Sequence, residues 1–257
     1  MFRVFGIQLA IHASFLLLLA YEGWVGWREG GWEGMVVNLV LIVLFFTCVV
    51  MHELGHSLTA RRFGVRVPRI LLMPIGGMAE FDHIPRQPRA ELLITAAGPV
   101  VNFVIAALLY AIFGVPKGWP SWNAEYADTW TGLAQVLLTW NFIMGCFNLL
   151  PVFPMDGGRI FRAILASRMP YLRATYWAAM IGKGLALAGA ALAAFYFNNF
   201  LTTGLFLFIF LAADAEYRAV LRREQEAAYW AEMSRRMAAA PPAGGESPPP
   251  LLYHGPN

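Results

Sequence analysis

Long apolar runs separated by short polar connections dominate the chain. A helix needs about 20 mostly apolar residues to cross the hydrocarbon core of a bilayer. Six runs approach that length, which predicts an all-α polytopic membrane protein with about six transmembrane helices. The predicted spans cover residues 4–21, 35–60, 92–113, 130–150, 176–197 and 200–213. Only a tight turn at Asn198 and Asn199 separates the last two, so one arm of that hairpin could span incompletely.

The composition agrees with a membrane protein. Of the 257 residues, 58% are hydrophobic and 14% are charged, and the mean hydropathy is +0.54. These values lie outside the usage of soluble domains. The net charge of +3 does not indicate a nucleic-acid partner, because the basic residues occupy short stretches between apolar runs. Cys48 and Cys146 both lie inside apolar runs, which favours core packing over a disulfide.

The distribution of arginine predicts the orientation, since cytoplasmic connections carry the excess of basic residues. Arginines cluster between the second and third spans, between the fourth and fifth, and after the sixth, whereas the opposite connections hold only Arg28 and Lys117. Both termini are therefore predicted to be cytoplasmic, in a multi-pass protein of a bacterial inner membrane. The first run resembles a signal peptide, but Trp24 and Trp27 after it suit an interfacial anchor, so we expect it to be retained.

The hydropathy also predicts how the chain is divided. Residues 1–214 form the transmembrane domain, and residues 215–240 form a charged helix that is cytoplasmic or lies at the membrane interface. Residues 241–257 are rich in proline and glycine, which predicts a disordered tail.

The second predicted span ends in a cluster of ionisable residues. His52 and His56 are four positions apart and therefore share one helix face, with Glu53 beside them. Two imidazoles on one face suit Zn²⁺, and an adjacent glutamate can take a proton from a zinc-bound water. The alternative is a set of hydrogen-bonded polar core groups. Ionisable groups at bilayer depth are costly, which favours the metal.

A catalytic zinc site usually has three protein ligands, so a third is needed. The segment at residues 148–159 reads NLLPVFPMDGGR, in which two prolines and two glycines interrupt the helix around Asp156. The predicted topology places Asp156 at the same cytoplasmic membrane face as the two histidines. The alternative role for Asp156 is to cap a helix that begins near Arg159.

These motifs resemble the site-2 protease family of intramembrane metalloproteases, in which a His-Glu-x-x-His helix precedes an Asn-x-x-Pro-x-x-Pro-x-Asp-Gly segment. Residues 74–81, PIGGMAEF, look like the family's membrane-inserted hairpin, and Glu91 with residues 97–102, AGPVVN, looks like its third-span signature. His12 is similar to a first-span histidine of the branch without a long insertion, although a packed or hydrogen-bonded helix residue is the favoured interpretation.

The resemblance implies an intramembrane endopeptidase that holds one Zn²⁺ per chain. His52, His56 and Asp156 would be the zinc ligands, and Glu53 would be the general base and acid. The implied substrates are single-span transmembrane proteins within membrane lipid, first trimmed by an upstream protease of the site-1 type. No nucleic acid is expected as a partner.

Four further residues are candidates for contact with the substrate. Asn148 or Asn102 could donate to the oxyanion, and the alternative is that each bridges two helices. Gly76 and Gly77 belong to an expected small membrane-associated β-hairpin or re-entrant segment. Its strand edge could pair with an unwound substrate by β-augmentation, and the alternative is an ordinary tight turn.

Three other functions stay open on the sequence alone. A zinc hydrolase of lipids or small amphiphiles would use the same chemistry. A metal transporter would be expected to line several spans with ionisable residues, whereas here they concentrate at one site. A catalytically silent membrane binding protein would be expected to lack Glu53 or one ligand, and all are present.

Overall fold

The computed structural model of the protein describes residues 2–82, 85–114 and 130–239. The predicted tail at 241–257 and Lys117 lie outside the described residues. The helices are α1 Ala13–Arg62, α2 Pro88–Phe113, α3 Trp130–Asn148, α4 Asp156–Ala166, α5 Tyr171–Phe195 and α6 Phe200–Ala239. The strands are β1 Phe2–Val4, β2 Ile7–Ile11, β3 Arg69–Met73 and β4 Gly76–Ala79.

Three helices in the described part of the chain, α1, α2 and α5, are long and apolar enough to cross a membrane. The mostly helical prediction is confirmed, whereas the prediction of about six transmembrane helices is not. Helix α1 contains only the second half of the first predicted span and the whole of the second. In addition, the sixth predicted span and the predicted surface helix are parts of the single helix α6.

Helix α1 folds back on itself at two glycines. Gly30 and Gly31 have non-helical backbone angles, and Gly31 has a φ of 61°, which favours glycine. Residues on the two sides of this break touch each other. The Asn38 side chain donates to the Glu22 carbonyl across 3.3 Å, and the rings of Phe15 and Phe46 meet edge to face at 4.6 Å. We call residues 13–29 the first arm and residues 32–62 the second arm of this antiparallel hairpin.

The predicted first span is wrong at its beginning. Residues 4–11 were expected to be helical, but strands β1 and β2 occupy this region and α1 begins only at Ala13. Strand β2 pairs with β3, which lies far along the chain, and this pairing supplies the backbone hydrogen bonds that a helix would otherwise make. His12 caps α1, with its Nδ1 accepting from the Ser14 amide at 3.2 Å.

The four strands form one sheet in the order β1-β2-β3-β4. The β2–β3 pair is parallel, and the two outer pairs are antiparallel. Strands β3 and β4 form the expected hairpin, in which Met73 is opposite Gly76. Ile7, Ile70 and Val49 are buried in one hydrophobic cluster, so the sheet packs against the second arm of α1. The terminal strand β4 lies beside that arm.

The chain divides into two compact units at Tyr217 and Arg218. The first unit contains the sheet, helices α1 to α5 and the beginning of α6, and it holds every candidate site residue. Within the described residues, the second unit consists of the helical segment from Arg218 to Ala239. The domain boundary predicted at residue 214 stays a prediction.

Candidate metal centre

The two histidines lie where their spacing predicts, on one face of the second arm. Both side chains are buried, and their Nε2 atoms are 3.0 Å apart. His52 Nδ1 lies 2.5 Å from the side-chain oxygen of Asn102, and His56 Nδ1 lies 2.8 Å from the backbone oxygen of Ile94. An oxygen acceptor at Nδ1 places the proton there and leaves the Nε2 lone pair for a metal.

Asp156 completes the cluster from a distant part of the chain. Its Oδ2 lies 3.3 Å from His52 Nε2 and 3.2 Å from His56 Nε2. This oxygen is buried and has no hydrogen-bond partner among the residues that the structure describes. Metal–ligand bonds of about 2.0–2.2 Å would put tetrahedral zinc ligands roughly 3.4 Å apart. The three atoms therefore fit a zinc ion by donor type and by spacing.

Tight packing at the beginning of α4 holds Asp156 in place. The helix starts at Asp156 immediately after the proline-containing loop, and Met155 precedes it in an extended conformation. A Cβ at Gly157 would overlap the carbonyls of Leu149 and Leu150, and a Cβ at Gly158 would lie 2.7 Å from the amide nitrogen of Phe153. The two glycines are thus required for the close approach of α4 to its own preceding loop.

Glu53 faces the edge strand of the sheet. The backbone amide of Ala79 on β4 donates to Glu53 Oε2 across 3.2 Å. A Cβ at Gly77 would lie 2.7 Å from Glu53 Cγ, so only glycine allows β4 to approach this closely. The sequence interpretation singled out the two glycines of this strand, and the structure places one of them against the candidate general base.

Helix α2 packs against both histidine rings at Gly98. A Cβ at Gly98 would overlap His56 Nε2 and would lie 2.7 Å from His52 Nε2. The glycine therefore forms a cradle that admits both imidazole rings. Sequence reasoning noted the AGPVVN segment only as a resemblance and missed this steric role, because nothing in the sequence shows which neighbours a helix glycine meets.

Asn102 lies beside the Nδ1 atom of His52. The Asn102 side chain is fully buried, accepts from His52 Nδ1, and donates to Asn141 Oδ1 at 2.9 Å. Asn141 lies on α3, so Asn102 bridges α2 to α3, which is the alternative role considered for it. Asn141 itself was missed, although a polar residue within an apolar run is a recognisable signal. Asn148 is the last residue of α3 and its contact with substrate stays a prediction.

The sequence matches the model of Peptidase family M50 over residues 40–121 and 116–189. These ranges include the histidine pair, the glycine strand and Asp156. The chain belongs to Peptidase family M50. The resemblance to the site-2 proteases that the motifs indicated is thereby confirmed.

Two relatives show how much of the chain is matched. A zinc metalloprotease of Methanocaldococcus jannaschii is 38% identical over 224 residues, covering 86% of this chain and 60% of that protein. The stage IV sporulation protein FB of Bacillus subtilis is 26% identical over 152 residues, covering 59% of this chain and 48% of that protein. The chain thus spans 60% or less of the length of these two relatives.

A solved structure shares the fold. The site-2 protease from Methanocaldococcus jannaschii superposes with a TM-score of 0.57 at 37% sequence identity. The match covers 84% of this chain and 94% of that chain.

Proposed function

We propose that this protein is an intramembrane zinc endopeptidase that hydrolyses peptide bonds of single-span membrane proteins. The observation that carries the proposal is the convergence of His52 Nε2, His56 Nε2 and Asp156 Oδ2. Their ligand atoms all lie within 4.8 Å of one another. The two histidines lie on an apolar helix long enough to cross a membrane. Family membership and the names of its relatives support the same chemistry.

We propose that these three residues hold one zinc ion per chain. When bound, zinc lowers the pKa of a coordinated water toward about 7 and stabilises a developing oxyanion. The protein's part is to present two neutral imidazoles and one carboxylate without reorganisation. The oxygen acceptors of Asn102 and Ile94 fix the ring orientations for that purpose.

Glu53 is proposed as the general base that takes the water's proton and returns it to the leaving amine. The amide of Ala79 holds one of its carboxylate oxygens, which orients the other for proton transfer. Proton transfer by a positioned carboxylate contributes about 10²- to 10⁴-fold to the rate of such reactions. The adjacent position of Glu53 and His52 on one helix turn supports this assignment.

Strand β4 is proposed to hold the substrate in an extended form. A transmembrane helix hides its amide bonds in intrahelical hydrogen bonds, so it must unwind before hydrolysis. Strand β4 ends the sheet formed by the described strands. The Glu80 amide donates to Arg69 on β3, whereas the Ala79 amide points away from β3 to Glu53. Backbone groups alternate in direction along a strand, so those of Gly77, two residues before Ala79, also point away from β3. These outward groups would pair with an extended substrate beside the general base.

The arginine distribution supports an orientation with both termini and the metal centre toward the cytoplasmic side of a bacterial inner membrane. Fragments would then leave toward the cytoplasm after trimming of the substrate by an upstream site-1-type protease. Labelling of single cysteines introduced at Arg3 and Arg168 tests the orientation. Labelling of both from the outside of intact cells would contradict it.

The decisive experiment compares wild type, Glu53→Gln and His56→Ala, each purified in detergent. Bound zinc is measured by elemental analysis, and cleavage is measured on a panel of single-span membrane peptides. We expect zinc in wild type and Glu53→Gln, loss of zinc in His56→Ala, and cleavage by wild type alone. Absence of zinc from the wild type, or undiminished cleavage by Glu53→Gln, would overturn the proposal and favour a transporter or a binding protein.

A further inference from the structure

Arg162 is a buried cation that the proposed reaction does not use. It lies on α4, the short helix that begins with Asp156, and its side chain is only 1% exposed. Burial of an arginine in an apolar bundle is costly unless its donors are satisfied by acceptors or opposite charges. The surroundings of Arg162 supply such partners.

The partners of Arg162 come from two other helices. Its Nε and Nη2 donate to Glu91 Oε1 on α2, at 2.8 and 2.5 Å, and Glu91 is fully buried. Its Nη1 donates to Glu216 Oε1 on α6 at 2.7 Å. One guanidinium therefore joins α4 to α2 and to α6.

The guanidinium also contacts the loop that precedes Asp156. It lies 5.1 Å from the ring centre of Phe153, a buried residue of that loop, and 5.1 Å from the ring centre of Tyr171 at the beginning of α5. Arginine stacked on aromatic faces adds attraction to the packing. Arg162 therefore packs on Phe153 of the loop that precedes Asp156, and it belongs to the helix that begins with Asp156.

One face of α2 contacts both candidate histidine ligands and Arg162, which lies on the same helix as the third candidate ligand, Asp156. Glu91, Ile94, Gly98 and Asn102 follow one another at intervals of three or four residues, which places them in one stripe along the helix. Ile94 and Asn102 accept from the two histidines, Gly98 makes room for their rings, and Glu91 binds Arg162. Helix α2 therefore contacts both the histidines of α1 and the helix α4 that carries Asp156.

We propose that Arg162, held by Glu91, is a positioning residue that fixes Asp156 at ligand distance from His52 and His56. The histidines belong to one helix and keep their spacing through α1 itself. Asp156 comes from a separate helix that follows a loop, so its distance to the histidines depends on how α4 is attached to α2. The Arg162–Glu91 ion pair is that attachment. The inference rests on the proposed zinc site.

Removal of Arg162 alone would leave Glu91 as an uncompensated buried charge and could unfold the protein. The informative variant is therefore the neutral double substitution Glu91→Gln with Arg162→Gln. The matched control is Lys183→Gln with Asp214→Asn. That control removes a second interhelical ion pair, which is only partly buried and joins α5 to α6 with its charged atoms 2.8 Å apart.

The test measures zinc affinity by chelator competition and records the visible absorption spectrum of the Co²⁺-substituted protein. We expect the Glu91/Arg162 variant to bind zinc at least about tenfold more weakly than wild type, in the range found for residues that orient metal ligands. Its Co²⁺ spectrum should change, because the position of the Asp156 ligand changes. The Lys183/Asp214 variant should match wild type in both measurements, whatever its thermal stability.

Wild-type zinc affinity and an unchanged Co²⁺ spectrum in the Glu91/Arg162 variant would overturn the inference while leaving the proposed function intact. Equal losses in both double variants would also overturn it, since they would show a general effect of stability. If the Glu91/Arg162 variant does not fold, Arg162→Lys replaces it. This variant keeps the charge but cannot bridge both glutamates, and retention of full zinc affinity by it would overturn the inference. Failure of wild type to bind zinc would refute the proposed function instead.

Discussion

Asn102 Oδ1 and His52 Nδ1 lie 2.5 Å apart in the interior of the helical bundle. Because Asn102 also donates to Asn141, its oxygen rather than its nitrogen faces the ring. The amide orientation therefore selects the His52 tautomer that presents Nε2 to Asp156. A residue of α3 thus determines, through α2, how a histidine of α1 can bind a metal.

Replacement of Asn102 by leucine should weaken zinc binding about 10- to 100-fold, since His52 loses the acceptor that orients it. Chelator competition on the purified protein measures this effect. Asn102→Asp is the matched control, because it keeps an oxygen acceptor of the same size and should retain more affinity than Asn102→Leu. Equal zinc affinity in wild type and Asn102→Leu would contradict this role.

Replacement of Gly98 by alanine should abolish stoichiometric zinc binding and cleavage. The added methyl group would occupy the space of the His56 ring and would lie 2.7 Å from His52 Nε2. Gly184→Ala on α5 is the control, because a Cβ there meets no atom within 4 Å among the described residues. It should leave zinc content unchanged and could add up to about 1 kcal/mol of helix stability. Normal zinc content in Gly98→Ala would show that the cradle is not required.

Replacement of Gly77 by alanine should lower kcat about tenfold or more without loss of zinc, because its Cβ would push against Glu53 Cγ and displace the base. Elemental analysis and peptide cleavage on the same sample separate the two effects. Gly204→Ala in α6 serves as control, since the described neighbours leave open space there. Unchanged kcat would argue against close packing of β4 on Glu53 during catalysis.

Replacement of Gly26 by alanine should destabilise the α1 hairpin. A Cβ at this position would overlap the Gly34 carbonyl and lie 2.9 Å from the Met35 Cα, so the two arms would have to separate. Overpacking of this kind costs about 1–3 kcal/mol. Thermal unfolding in detergent, compared with Gly184→Ala, measures the change. A transition temperature equal to that of the control would show that the arms tolerate separation.

Local patterns predicted the histidine helix well. The i and i+4 spacing alone places His52 and His56 on one face, and the structure shows their rings together with Asp156 as expected. The hairpin at Gly76 and Gly77 was also expected. Whether these residues bind zinc and substrate stays a prediction, which the experiments above address.

Hydropathy alone was misleading at the N-terminus. An apolar run satisfies the composition of a helix and of a buried strand equally well, and only the pairing of β2 with β3 decides between them. Hydropathy also does not show how the first two predicted spans are connected. The structure connects them by a sharp reversal at Gly30 and Gly31 within the α1 hairpin. Local sequence does not show that two arms will pack closely enough to require glycine on both sides.

The sequence by itself determined the chemistry of the site, because residue types and helical spacing are local properties. They comprise two histidines one turn apart, a neighbouring glutamate, and an aspartate that directly follows a proline-interrupted segment. The tertiary structure alone decided which residues hold these side chains in position. Asn102, Gly98 and Glu91 on α2, and Arg162 on α4, act through contacts between residues 39–71 positions apart. Such contacts depend on how whole helices pack, and no periodicity within a single segment records them.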